Sequence, residues 1–215
     1  LSASTTLKLS VTPVNDVPTL GSMSDPAAVL ENATQQSVTL TGIGTGQSNE
    51  TQTLTVTASS SDTTLIPDPT ITYTSPEATA TLVYTPVANA NGTATITVVV
   101  ADDGGTDNGG VHSVTRTFSV VVTAVNDAPT LSVVPDQTAF EDSSIKTVSL
   151  SGISFGHSNE NQSITITASS SNPGLIPTPS INYSSPDSTG TLTYTPVANG
   201  NGQSTITLSV QDDGG

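Results

Sequence analysis

Thr93-Ala94-Thr95-Ile96-Thr97-Val98-Val99-Val100-Ala101-Asp102-Asp103-Gly104-Gly105 returns 110 residues later as Gln203-Ser204-Thr205-Ile206-Thr207-Leu208-Ser209-Val210-Gln211-Asp212-Asp213-Gly214-Gly215. In both stretches apolar side chains mostly alternate with Thr or Ser. A period of two places one set of side chains on a core and the other in water, which is the signature of a half-buried β-strand. Two small acids and two glycines then close the strand with a turn.

Working outward, residues 38–105 align without a gap on 148–215, and 42 of those 68 positions are identical. That likeness means one fold present twice. Upstream, Val14-Asn15-Asp16-Val17-Pro18-Thr19-Leu20 matches Val125-Asn126-Asp127-Ala128-Pro129-Thr130-Leu131 at an offset of 111. Thr6-Leu7-Lys8-Leu9-Ser10-Val11-Thr12 lies opposite Thr117-Phe118-Ser119-Val120-Val121-Val122-Thr123. The expected organisation is therefore residues 1–14 as the last strand of a preceding repeat, 15–125 as repeat 1, and 126–215 as repeat 2 without its last strand.

Alternation predicts strands over 38–43, 54–58, 71–73, 80–84, 93–100 and 114–122, preceded by a first strand near 18–30. Turns such as Ala88-Asn89-Ala90-Asn91-Gly92 separate them. About seven short strands in roughly 110 residues is the count of an immunoglobulin-like Greek-key sandwich. The expected fold is all-β, as tandem immunoglobulin-like or cadherin-like sandwiches of about seven strands each.

Charge narrows the partners. Eighteen acidic residues stand against three basic ones, Lys8, Arg116 and Lys146, for a net charge of −15. Such a surface cannot neutralise phosphates, so nucleic acid and anionic membrane are poor partners, while cations are favoured. There is no cysteine, hence no disulfide framework and no thiolate metal site. No run of 18 apolar residues occurs, and membrane insertion is not expected of this segment.

The acids fall in a pattern. If seven strands alternate up and down, the turn after the second strand and the turn after the sixth share the N-terminal end of the domain. Glu50, Asp102 and Asp103 then converge on Asn15 and Asp16, and Glu160, Asp212 and Asp213 on Asn126 and Asp127. Glu31, with Glu141 and Asp142 in the second copy, belongs to the opposite end. A junction between repeats is thus expected to collect Glu31, Asp127, Glu160, Asp212 and Asp213, five carboxylates that repel one another. A hard divalent cation with six to eight oxygen ligands relieves this, and Ca²⁺ tolerates irregular sets of carboxylate, amide and backbone oxygens.

Val-Asn-Asp-Ala-Pro-Thr at 125–130, Glu141-Asp142-Ser143, Tyr194-Thr195-Pro196-Val197-Ala198-Asn199-Gly200-Asn201-Gly202 and the strand ending in Asp212-Asp213-Gly214 resemble the bacterial cadherin-like and immunoglobulin-like tandem repeats of large extracellular adhesins and secreted multidomain proteins. The resemblance covers nearly the whole chain. It implies that the Asn-Asp linker and flanking acids bind Ca²⁺ and stiffen a stalk that holds an adhesive tip away from the cell. Glu31-Asn32 in place of Glu141-Asp142 implies fewer ions at the first copy's junction.

Asn, Asp and Pro favour turns for backbone reasons alone, but matching acids on both flanks of two linkers argue for more. Asp25, Asp62, Asp68, Glu77, Asp107, Asp136 and Asp187 read as solvated faces. His112 and His157 stand at non-equivalent places with no nucleophile beside them, and adjacent Asp102 and Asp103 on one strand end point apart, unlike a glycosidase pair. Tyr73, Tyr84, Tyr183 and Tyr194 sit at alternating strand positions and read as core. Gly42-Ile43-Gly44-Thr45-Gly46 has no helix after it and is not a phosphate loop. The expectation is a non-enzymatic, Ca²⁺-stiffened spacer of an extracellular or bacterial surface protein. Its alternative is a carbohydrate- or protein-binding module. The expected partners are neighbouring repeats of one chain or head-to-tail copies, which could exchange the strand at residues 1–12.

Overall fold

A computed structural model describes residues 1–158 and 160–214; Asn159 and Gly215, the final position of the aligned block, lie outside the described residues. The chain divides into two compact units, Leu1–Ala124 and Val125–Gly215.

The first unit is built of β1 (Val29–Leu30), β2 (Gln36–Thr41), β3 (Leu54–Ser60), β4 (Thr70–Thr72), β5 (Thr79–Tyr84), β6 (Gly92–Asp102) and β7 (Ser113–Thr123). One sheet has the order β1-β7-β6-β3 and the other β2-β5-β4, the Greek-key arrangement of an immunoglobulin-like sandwich. Strict alternation of seven strands leaves the first and last pointing the same way. Accordingly β1 pairs with β7 in parallel, Val29 beside Val122, while every other pair in the unit is antiparallel.

The buried faces follow the period of two. Along β6, Ala94, Ile96, Val98 and Val100 are each 0% exposed, and from β7 Phe118, Val120 and Val122 join the same core with Leu40, Leu82 and Tyr84 of the opposite sheet. All four tyrosines belong to or pack on the two cores, as their alternation suggested.

The first segment departs from the expectation of one strand near 18–30. Its start bridges to the end of β2, with the Thr19 N–H donating to Gly44 O (2.8 Å) and the Gly21 N–H to Thr41 O (2.8 Å). Its end joins β7 in the other sheet. Between the two lies Pro26, which has no N–H to give a ladder. Asp25 bridges the gap: its Oδ1 accepts the Ser119 N–H of β7 at 2.7 Å.

Three acids read as mere solvated faces therefore have local work. Besides Asp25, Asp68 Oδ1 accepts the Ser60 N–H (2.8 Å), and Asp62 Oδ1 accepts from the Thr64 hydroxyl (2.6 Å), the Thr64 N–H (2.9 Å) and the Leu65 N–H (3.2 Å). The Thr64 hydroxyl is the chief reason that the Asp62 carboxyl lies below its ordinary value.

The second unit contains β8 (Lys146–Ser151), β9 (Ile164–Ser170), β10 (Ser180–Asn182), β11 (Thr189–Tyr194) and β12 (Ile206–Asp212). Its sheets are β10-β11-β8 and β12-β9. Five strands are formed among the described residues rather than about seven. The first segment keeps its bridge, Thr130 with Ser154, but among the described residues the stretch equivalent to β1 forms no strand. Val133 (95%) and Phe140 (87%) are exposed there. The core gathers Val148, Leu150, Ile153, Ile164, Ile166 and Leu192, with Ile206, Leu208 and Val210 only partly buried.

Two outcomes are expected. Ile96→Ala should destabilise its unit by about 2–5 kcal/mol in equilibrium urea unfolding, and the equivalent Ile206→Ala by clearly less, because Ile206 is already partly hydrated. Asp62 has a folded-state value below its unfolded 3.8, so its stabilisation is present above the unfolded value and is lost as pH falls through the folded one. The stability gap between the native chain and Asp62→Ala should therefore hold at about pH 6 and close on acidification towards about pH 2.

Candidate metal centre at the pole of each unit

Asn15 begins the incoming segment of the first unit and fits its side-chain amide between the ends of β3 and β6. Its Nδ2 faces three acceptors, Asp102 Oδ1 (2.9 Å), Gly105 O (3.0 Å) and Val111 O (3.0 Å). Two amide hydrogens serve three acceptors, so at least one bond is shared. Its Oδ1 accepts from Gln52 Nε2 at 2.7 Å. The backbone is held as well: the Asp16 N–H donates to Glu50 Oε1 (2.8 Å) and the Val111 N–H to Asn15 O (3.2 Å).

The second unit repeats this. Asn126 Nδ2 donates to Asp212 Oδ1 (3.1 Å), Gln162 Nε2 to Asn126 Oδ1 (2.6 Å), and the Asp127 N–H to Glu160 Oε1 (2.7 Å). Asp103 and Asp213 have the same duty in each copy, accepting the N–H of Thr53 (2.9 Å) and Ser163 (2.8 Å). Asp102 and Asp212 also accept from the glycine two residues on, Gly104 (2.9 Å) and Gly214 (3.1 Å).

Those glycines make room for the asparagine. A Cβ on Gly104 would lie 2.2 Å from Asn15 Oδ1, and one on Gly214 would lie 2.3 Å from Asn126 Oδ1. The turn therefore reads Asp-Asp-Gly because the backbone must approach the linker amide closely.

Glu50, Asp102 and Asp103, like Glu160, Asp212 and Asp213, thus each spend one oxygen on the linker or on a backbone N–H. The second oxygen of several is buried without any partner: Glu50 Oε2 and Asp102 Oδ2 in the first unit, Asp127 Oδ2 and Glu160 Oε2 in the second, together with the amide oxygens Gln52 Oε1 and Gln162 Oε1. Buried oxygens without partners are costly; the glutamate and glutamine oxygens are bare at both poles, Asp102 Oδ2 and Asp127 Oδ2 at one each. Among the described residues no group of three or more Asp, Glu, His or Cys side chains is gathered as a metal centre. The donors here are mixed, carboxylate with amide, and such oxygens suit Ca²⁺.

Of the sequence candidates, Asn15, Asp16, Glu50, Asp102 and Asp103 meet at one pole, and Asn126, Asp127, Glu160, Asp212 and Asp213 at the other unit's pole. Within their own units, Glu31, Glu141 and Asp142 lie apart from these poles. Glu31 follows β1 beside the far end of β7, where its N–H donates to Thr123 O (2.8 Å), and it is 3% exposed. Glu141 and Asp142 are exposed, and Asp142 Oδ1 accepts the Asn199 N–H at 3.0 Å. Sequence reasoning missed Gln52 and Gln162. The available signal was their identity in both copies, two residues after Glu50 and Glu160 and hence on the same side of an extended chain.

No family model and no curated protein sequence matches this chain. Among solved structures, titin domains Z1Z2 in complex with telethonin share 13% identity at a TM-score of 0.37, over 91% of this chain and 94% of that one. Domains 5–6 of the S-layer protein SbsC share 19% at a TM-score of 0.29, over 91% and 96%. A longer S-layer fragment, rSbsC(31–844), shares 21% at 0.30, over 73% of this chain and 19% of that one. At these TM-scores the likenesses carry no argument about function.

The close approach at Gly104 sets an expected outcome. Gly104→Ala should expel the Asn15 amide and cost about 1–3 kcal/mol, as should Asn15→Ala by removing the plug outright. Because both act on one contact, the double variant should fall well short of the sum in a double-mutant cycle read by chemical denaturation.

Proposed function

We propose that this chain is a Ca²⁺-stiffened structural spacer, two repeats of a stalk or filament segment from a bacterial cell-surface or secreted adhesin-like protein, without catalysis. The observation that supports it most is the set of buried, unpartnered oxygens around each Asn-Asp linker: Glu50 and Gln52, repeated as Glu160 and Gln162, with Asp102 at one pole and Asp127 at the other. Their residues resemble the linker and acid motifs of cadherin-like repeats. These are the side chains that would hold Ca²⁺, whose positive charge would offset the mutual repulsion of the carboxylates.

Stiffening follows from which residues would be tied. Asn126 and Asp127 come directly after Ala124 and Val125, where one unit gives way to the next. Their amide and N–H are already anchored to Asp212 and Glu160. An ion shared by Asp127, Glu160 and Gln162 would turn a few hydrogen bonds into a clamp and restrict the chain at that point. The tyrosines support a spacer over a glycan-binding platform, because all four pack on the cores.

Binding to the folded state alone raises stability by mass action. With a Kd of about 10⁻⁴ M, about 10 mM Ca²⁺ should add about 2.7 kcal/mol. A higher melting temperature in Ca²⁺ than in EGTA is expected, with a narrower distribution of dimensions in small-angle scattering. Asp127→Ala and Glu160→Gln should each remove most of the second unit's response. Identical melting and scattering curves in Ca²⁺ and in EGTA would overturn the calcium reading.

A further inference from the structure

Three side chains at each pole are joined by hydrogen bonds that all run the same way. Gln52 Nε2 donates to Asn15 Oδ1 at 2.7 Å, and Asn15 Nδ2 donates to Asp102 Oδ1 at 2.9 Å. The second copy repeats the series from Gln162 through Asn126 to Asp212, at 2.6 Å and 3.1 Å. Amide, amide and carboxylate thus form a relay with a direction.

The aspartate sets that direction. A carboxylate oxygen accepts, and Asp102 Oδ1 also takes the Gly104 N–H (2.9 Å), as Asp212 Oδ1 takes that of Gly214 (3.1 Å). The asparagine must therefore turn its NH2 to the aspartate and its oxygen to the glutamine. Two oxygens at the 2.7 Å that separates Gln52 from Asn15 Oδ1 would repel unless a hydrogen lay between them, so Gln52 has to answer with its NH2 as well. Further acceptors hold the amides in place. Asn15 Nδ2 faces the carbonyls of Gly105 and Val111 at 3.0 Å each, and Gln162 Nε2 faces Glu160 Oε1 at 3.3 Å. Turning any of these amides over would set acceptor against acceptor.

The far end of the relay is consequently a carbonyl oxygen. Gln52 Oε1 and Gln162 Oε1 are buried without a partner, in company with Glu50 Oε2 and Glu160 Oε2. Asp102, itself 8% exposed, leaves Oδ2 bare in the first unit. A cleft of about 470 Å³ whose wall includes Asn15, Glu50, Gln52 and Asp103 gives access to this pole. An NH2 in place of the glutamine oxygen would bring hydrogens to a set of acids that lack them. The relay instead collects acceptors only, and buried acceptors without donors are matched by a cation.

We propose that Gln52 and Gln162 are cation ligands of fixed sense and that Asn15 and Asn126 are the positioning residues that set it. This rests on the calcium-binding role proposed for the poles and adds how the neutral ligand is prepared. Asn15 uses its own oxygen on Gln52, so it acts through Gln52 and not on the ion. An amide oxygen also adds a ligand without the repulsion that a further carboxylate would bring.

Calorimetric titration with Ca²⁺ separates the relay from simple charge. Gln52→Glu with Gln162→Glu adds an acid to each pole, and charge alone would tighten binding. A glutamate, however, meets the oxygen of the asparagine and cannot answer it, so affinity should fall by about 10–100-fold. Asn15→Asp with Asn126→Asp breaks the relay at its middle and should produce a fall of the same order. Circular dichroism in EGTA checks that both variants are folded, since a purely structural role would lower stability there and leave the affinity of the folded chain alone. The native chain supplies a readout that needs no variant: on addition of Ca²⁺ the side-chain carbonyl carbon resonances of Gln52 and Gln162 should move more than those of Asn15 and Asn126. Affinity that holds or rises in either variant overturns the relay and leaves the calcium role standing, as do glutamine resonances that stay in place while the native chain binds Ca²⁺. A native chain that takes up no Ca²⁺ overturns both.

Discussion

Everything in the first unit is arranged around one strand that must be covered on both edges and over one face. β6 withdraws Ala94, Ile96, Val98 and Val100 completely from water, and that burial is possible only because β3 and β7 occupy both of its edges while β2 and β5 close over the face. Apolar burial of this kind is the main favourable term in folding. It fixes register as well, since a slip of one residue would turn the whole row outward. The Asp-Asp-Gly-Gly turn at the end of β6 inherits its position from that register, and so does the pole it builds.

The pole shows how a short polar linker is held without a core of its own. The Asn15 amide supplies donors to Asp102 and to two carbonyls while accepting from Gln52. Glu50 and Asp103 fasten backbone N–H groups on either side. Glu50 and Asp102 are each oriented by one oxygen and keep the other buried without a partner. Orientation by a second hydrogen bond is the usual way in which proteins prepare oxygen ligands.

The two copies form an internal comparison, since among the described residues the same sequence pattern occurs with and without a second strand beside β6 or its equivalent. Where β7 is present, the long strand has eleven residues, its apolar row is fully buried and the glutamate after β1 is 3% exposed. Where no such strand is described, the long strand has seven residues, its row is half-wet and Glu141 is exposed. The differences lie on the side where β7 packs in the first unit, so among the described residues burial of the long strand tracks the presence of that neighbour.

Much of this was legible beforehand. Alternation located the strands now seen at Gln36–Thr41, Leu54–Ser60, Thr79–Tyr84, Gly92–Asp102 and Ser113–Thr123 to within a few residues, because a strand with one face in a core must repeat every two positions. The repeat brought Asn15, Glu50, Asp102 and Asp103 together on paper, since up-and-down strands return to the same end. Other features are not written in any local pattern. The first segment changes sheets because its partners lie in two different strands, β2 and β7. Asp25 is a ladder substitute rather than a solvated acid, and only the approach of Ser119, 94 residues away, makes it so. Gln52 entered the cluster unseen because its chemistry depends on an amide contributed by Asn15, 37 residues upstream. By itself the sequence determined the fold class, the repeat and the set of acids, all of which follow from spacing along one chain. Which oxygen of each acid is spent and which stays bare were decided by tertiary structure, because those depend on the distance between residues far apart in sequence.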